Sequence, residues 1–144
     1  MRTLVVVGIV FGVIGLVAGC GSEAEGSAKD GYIQKADEIC AKANRKIQAA
    51  LAPDAEGNRL PMPIGSASGV SKVVIPTLVE ELRELHKLAV PPGDTEQIGY
   101  FLADAKLMIE RAQNNPPYVA KAPRPFLRTE LQGERYGFSE CGHI

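Results

Sequence analysis

The chain has 144 residues with 16 basic and 17 acidic side chains, a net charge of −1 and an apolar share of 45%. That length supplies one compact domain and not two. Near-neutral charge without a basic stretch excludes a nucleic-acid surface, because clustered Lys and Arg are the first requirement for holding a polyanion.

The first segment is the most informative. Arg2 precedes an apolar run from Leu4 to Leu16, which closes on the small residues Ala18 and Gly19. A positive start, a short apolar core and small residues at the cut are the parts of an export signal, in that order. Val17-Ala18-Gly19-Cys20 then resembles the bacterial lipobox. The resemblance implies cleavage before Cys20, diacylglycerol on its thiol and further acylation such as palmitate. Residues 1–19 would be the removed signal, and the product would sit on the extracytoplasmic face of the cell membrane. The competing reading, an uncleaved membrane-spanning anchor, wants about 20 apolar residues, and this run is shorter and meets a polar spacer at once. Without Arg2 the 16 basic residues fall to 15 against 17 acidic.

Residues 20–31 continue with Gly, Ser, Glu, Ala, Lys and Asp and no apolar period, which predicts a flexible lipidated tether. A single helical domain is then expected over residues 32–144. From Tyr32 to Leu51 the residues Ile33, Ala36, Cys40, Ala43, Ile47 and Ala50 keep three- and four-residue steps, the stripe of an amphipathic helix. Lys35, Asp37, Lys42, Arg45 and Lys46 lie largely off it. Pro53 stops the helix.

Pro53 to Gly69 reads as a long loop with an apolar centre at Leu60, Met62 and Ile64. Loops of this length are often functional, so these three residues are a candidate partner-binding tip, although an apolar loop can equally lie over the core. Gly65-Ser66-Ala67-Ser68-Gly69 is not a nucleophile elbow, because Ala67 occupies the central place.

Val70 to Val90 predicts a second helix with Val70, Val74, Leu78, Leu82, Leu85 and Ala89 inward. Glu80, Glu81, Arg83, Glu84 and Lys87 fall outside that stripe, with Glu80–Arg83 and Glu84–Lys87 as surface pairs. Pro76 either kinks this helix or opens its regular part. His86 lies at the stripe's edge, a packed or half-exposed residue rather than a ligand. Asp94 is a candidate N-cap for a third helix, whose inward residues are Ile98, Phe101, Leu102, Ala105, Met108, Ile109 and Ala112. A proline-dotted connection follows, and then a fourth helix from Arg124 to Phe138 with Phe126 or Leu127, Leu131, Arg135 and Phe138 at four-residue steps. Gly133 and Gly137 weaken it. No alternating strand pattern occurs, so the fold class is all-α, a four-helix bundle-like domain.

Once Cys20 is set aside, Cys40 and Cys141 remain. In an oxidising compartment such a pair forms one disulfide, closing a loop of about 100 residues and contributing roughly 4–5 kcal/mol. A redox or metal-binding pair would need a Cys-x-x-Cys spacing or histidine helpers, and only His86 and His143 exist.

Ala36-Asp37-Glu38-Ile39-Cys40, the end of the second helix from Leu85 to Asp94, and Tyr136-Gly137-Phe138-Ser139-Glu140-Cys141-Gly142 together resemble small lipoproteins of actinobacterial, high-GC Gram-positive cell envelopes. The resemblance spans nearly the whole mature domain. It implies a helical domain closed by a terminal disulfide and names no substrate.

Catalytic motifs are missing from the sequence. His-Glu-x-x-His, the phosphate-binding Gly-x-x-x-x-Gly-Lys and Gly-x-Gly-x-x-Gly do not occur, so no metal or cofactor is expected. Ser139, Glu140 and His143 are close in sequence but lie on a tail expected to be solvated, and Glu80 with Glu84 reads as a solvated face. The expectation is a non-catalytic, membrane-anchored binding module whose partner is an envelope protein, without nucleic acid. The alternative is a carrier of a small apolar ligand or lipid between helices. A carrier requires a large internal apolar cavity, whereas a binding module requires an exposed face.

Overall fold

A computed structural model describes residues 22–51 and 67–142. Residues 1–19, expected as an export signal, Cys20, the expected loop tip at Leu60, Met62 and Ile64, and His143 lie outside the described residues. All regular structure among the described residues is helical.

Helix α1 (Ser22–Leu51) turns Tyr32, Ala36, Cys40, Ala43 and Ile47 inward, as the stripe requires. It begins well before Tyr32, so the segment expected as an unstructured tether is helical from Ser22 onward. That stretch has no proline and includes Ala and Lys, and extending an existing helix avoids the cost of nucleation. Lys29 also gains a tertiary contact, with its ammonium 4.3 Å from the centre of the Tyr136 ring.

The second rod is built from α2 (Ala67–Gly69), a π-helix (Val70–Val74) and α3 (Ile75–Leu85). Gly69, Val74 and Ile75 all keep right-handed helical angles, so the three pieces run on without a break. Pro76 explains the change of pitch. Proline has no N–H and its ring presses on the preceding turn, and the chain widens ahead of it so that the Ile75 N–H donates five residues back to the Val70 carbonyl. The rod ends at Leu85 rather than Val90. The Lys87 and Leu88 N–H groups donate three residues back, to Glu84 and Leu85, and Pro91 disfavours helix at Val90. Ala89, expected on the stripe, is therefore exposed.

Helix α4 (Thr95–Asn114) buries Ile98, Phe101, Met108, Ile109 and Ala112 on the expected stripe, with Leu102 and Ala105 at its margin. The connection that follows contains a further helix, α5 (Pro116–Lys121). Asn115 caps it, its Oδ1 accepting from the Tyr118 N–H at 3.3 Å, and the prolines occupy a first turn whose N–H groups have no helical partner anyway. Helix α6 (Leu127–Tyr136) is shorter than expected and rotated. Its inward line is Phe126, Thr129, Gly133 and Tyr136, while Leu127, Leu131 and Arg135 face out.

Helix α3 packs on α1 and α4, and α4 packs on α5 and α6; α1 and α6 meet only at one end, where Lys29 and Tyr32 reach the Tyr136 ring. The tail after α6 fills the seam between them. Gly137, with φ of 113°, turns the chain out of α6 as only glycine does cheaply. Asp37 on α1 then accepts from the Ser139 N–H (3.0 Å), the Ser139 hydroxyl (2.8 Å) and the Glu140 N–H (2.9 Å). One helical turn on, Cys40 is bonded to Cys141 with Cα atoms 5.0 Å apart. The tail lies so close to α6 that a Cβ at Gly133 would stand 2.8 Å from the Cys141 carbonyl oxygen.

Two apolar clusters result. One gathers Ile47, Val70, Val74, Leu78, Met108, Ile109 and Phe126. The other stacks Tyr32, Phe101, Tyr136 and Phe138 around the disulfide and Leu85. Asp94 closes the second cluster from above: it makes no side-chain cap to α4, and its Oδ2 accepts the Tyr136 hydroxyl at 2.6 Å. Burial, with that bond second, holds the Tyr136 phenol well above the ordinary tyrosine range.

Candidate functional site

Between the two clusters lies a small cavity of about 30 Å³, walled by Leu78, Leu82, Leu85, Phe101, Ile109 and Phe126. Its polar groups are the Glu81 carboxyl and the Thr129 hydroxyl, which has no hydrogen-bond partner. Glu81 was expected on the solvated face and is half-buried instead. The reason is its register: 78, 81, 82 and 85 share one side of a helix, so a residue between two inward leucines is carried inward with them. Burial pushes its carboxyl up to about 8. On the α1 side, Glu81 also borders a second cavity of about 40 Å³ next to Ala43 and Thr77. A single water needs roughly 10–15 Å³. Both spaces therefore suit one or a few waters and are too small for a hydrocarbon chain.

A larger recess, about 560 Å³, lies outside, between α4 and α6. Two facing stripes line it. Gln97, Tyr100, Asp104 and Leu107 succeed one another on α4 at three- and four-residue steps, and Arg128, Gln132 and Arg135 do so on α6. Asp104 is buried, its side chain only 8% exposed, and its Oδ1 accepts from the Arg128 Nε at 3.1 Å. Its second oxygen, Oδ2, has no partner, and neither does Gln132 Oε1. The rim carries open apolar side chains: Tyr100 is 63% exposed and Leu107 is 41% exposed. The Tyr100 hydroxyl donates to Glu96 Oε1 at 3.1 Å, which fixes the ring against its own helix. Another recess of about 410 Å³ runs past Asn44, Val74, Arg124 and Phe126, where Arg124 is already paired with Glu130.

The residues singled out in the sequence are dispersed. Cys40 and Cys141 are joined and fully buried. His86 is exposed on the rod's last turn, with Nδ1 2.7 Å from the Leu82 carbonyl oxygen. Ser139, expected to be solvated, is exposed yet held by Asp37 as described. Glu80 pairs with Lys46 of α1 at 3.0 Å rather than with Arg83, and that hydrogen bond holds its carboxyl below the ordinary range. Glu84 pairs with Lys87 at 2.7 Å. Among the described residues no three His, Cys, Asp or Glu side chains gather as a metal site would need, and no helix is long and apolar enough to cross a membrane.

The sequence reading missed Glu81, Asp104 and Gln132. A signal for the first two was present: each carboxylate falls at an inward position of its helical stripe, between Leu78 and Leu85 or between Phe101 and Met108. Gln132 had no such mark, because its orientation follows from the rotation of α6. Compared with known proteins, the chain matches no protein-family profile, no curated protein and no solved structure.

Proposed function

We propose that the chain is a lipid-anchored envelope lipoprotein, attached through Cys20, whose helical domain is a non-catalytic binding module using the recess between α4 and α6. The observation that carries this reading is the recess itself, where a buried carboxylate and an amide oxygen without partners lie beneath an exposed apolar rim. The size of the interior spaces favours this reading over the carrier. A lipid chain held between helices needs a cavity far larger than those beside Glu81.

Two experiments test the two parts. Cys20→Ala should release the protein from membranes into the soluble envelope fraction; continued tight attachment would overturn the lipid anchor. A photo-crosslinking residue placed at Leu107 should capture a ligand or partner that the same residue at Glu38, on α1, does not. Equal capture from both positions, or a lipid co-purifying with the domain and no capture at Leu107, would refute the binding face and favour the carrier.

A further inference from the structure

Resting on the reading of the α4–α6 recess as the binding face, we infer that its occupant is an amphipathic helix of another protein, with acidic residues flanking its apolar stripe. The two walls carry the argument. Asp104 bonds Arg128, and a Cβ at Gly133 would touch the Phe101 ring, so α4 and α6 run antiparallel along the recess. On α4, Tyr100, Ala103 and Leu107 form an apolar line, with Tyr100 and Leu107 exposed. On α6, Arg128 and Arg135 line the same space. Tyr100 and Leu107 are seven residues apart, and so are Arg128 and Arg135, which on a helix is two turns or about 10.5 Å. A third helix laid along the groove presents one face at that same interval, so its apolar residues meet Tyr100 and Leu107 while the flanking residues meet the arginines. An extended peptide returns to the same face at about 6.6 or 13 Å and matches neither line.

Charge sets the sign of the flanking residues. Arg128 commits its Nε to Asp104 and keeps both Nη groups, on a side chain that is 75% exposed. Arg135 is exposed and, among the described residues, forms no ion pair. The acidic group in the wall, Asp104, is buried and bonded to Arg128, and Glu96 accepts from the Tyr100 hydroxyl. The uncommitted charge facing the groove is therefore positive. A small anion would satisfy the arginines but leave the Tyr100–Leu107 line in water, and an uncharged helix would cover both guanidiniums without a partner. Exposed arginine–carboxylate pairs add little affinity, so the apolar line holds the partner and the arginines select it.

The test is fluorescence anisotropy of two labelled, stapled helical peptides of about three heptads titrated with the full chain. Both carry leucine at a and d; one has glutamate at e and g and the other lysine, and either charge prevents self-pairing. The glutamate peptide should bind with a Kd of about 100 μM or tighter, and the lysine peptide at least about tenfold more weakly. Arg135→Glu, at an exposed position, should weaken the glutamate peptide by about tenfold and strengthen the lysine peptide, with the helical circular dichroism unchanged. A loss of folding would weaken both peptides alike, so this reversal belongs to recognition alone. No binding of the glutamate peptide up to about 1 mM, equal binding of the two peptides, or affinities unaltered in Arg135→Glu would overturn the inference. Position-specific capture at Leu107 in the absence of any preference for the glutamate peptide would keep the binding face and discard the acidic helix.

Discussion

Glu81 provides the most demanding test of the interior. Its carboxyl titrates near 8 in the folded protein, against an ordinary value of 4.5, because the space between the two apolar clusters disfavours the charge. Below about pH 4.5 the group is protonated in both folded and unfolded chains, and its contribution is fully present. Between about 4.5 and 8 the folded chain keeps a proton that the unfolded chain gives up, so each rise in pH favours unfolding. Above about 8 both states are ionised and the loss is complete. The full linkage over that window is at most about 5 kcal/mol. The carboxyl is only half-buried and borders a second cavity, so solvent relaxation reduces the expected loss to about 2–3 kcal/mol. Urea unfolding at pH 5 and pH 8.5, on the wild-type chain and on Glu81→Gln, isolates the effect, because all other titrating groups are common to both. The wild type should lose about 2–3 kcal/mol more than the glutamine variant over this interval. Parallel pH profiles for the two proteins would refute the buried, neutral carboxyl.

Two further predictions concern the seam. Cys40→Ser opens a loop spanning 101 residues and should lower stability by about 4–5 kcal/mol, measured as the urea midpoint under oxidising conditions; an unchanged midpoint would show that the crosslink contributes nothing to the fold. Gly133→Ala gains about 1 kcal/mol of helix propensity but drives a methyl into the Cys141 carbonyl, so the net effect should be a loss of about 1–3 kcal/mol and a lower Tm. A raised Tm would mean that the tail yields freely there.

The helical class and three of the main helices were legible because their apolar residues repeat at three and four over several turns, a signal that tertiary packing reinforces. The ends were not legible. Whether Ser22 to Gly31 is helical depends on propagation from α1 and on the Lys29–Tyr136 contact, neither of which leaves an apolar period. The rotation of α6 was hidden for a different reason. Leu127, Leu131 and Arg135 make a plausible stripe on paper, but the tail must pass within van der Waals reach of one side of that helix, and Gly133 is the residue whose missing side chain admits it. Glycine there marks the inner face, although by composition it suggests only a weakness. The recess shares that origin, because turning Gly133 inward turns Arg128, Gln132 and Arg135 toward α4.

The two ends of the chain and the outer recess make opposite contributions to stability. Asp37 is fully used: its oxygens accept three donors from the tail, beside a disulfide that ties the same two segments. Asp104 is the reverse, a buried carboxylate with a single ion pair to a largely exposed arginine and one oxygen unpartnered. Removing a carboxylate from water costs several kcal/mol, and one partner of this kind does not offset it. An apolar residue at position 104 would pack between Phe101 and Met108 without that cost, so folding alone gives no reason for aspartate there. Local rules are most often broken where a protein binds or reacts. The violation at Asp104 lies in a recess lined by α4 and α6 alone, with no residue of α1 in its wall, so the seam can hold the fold closed while the recess stays open.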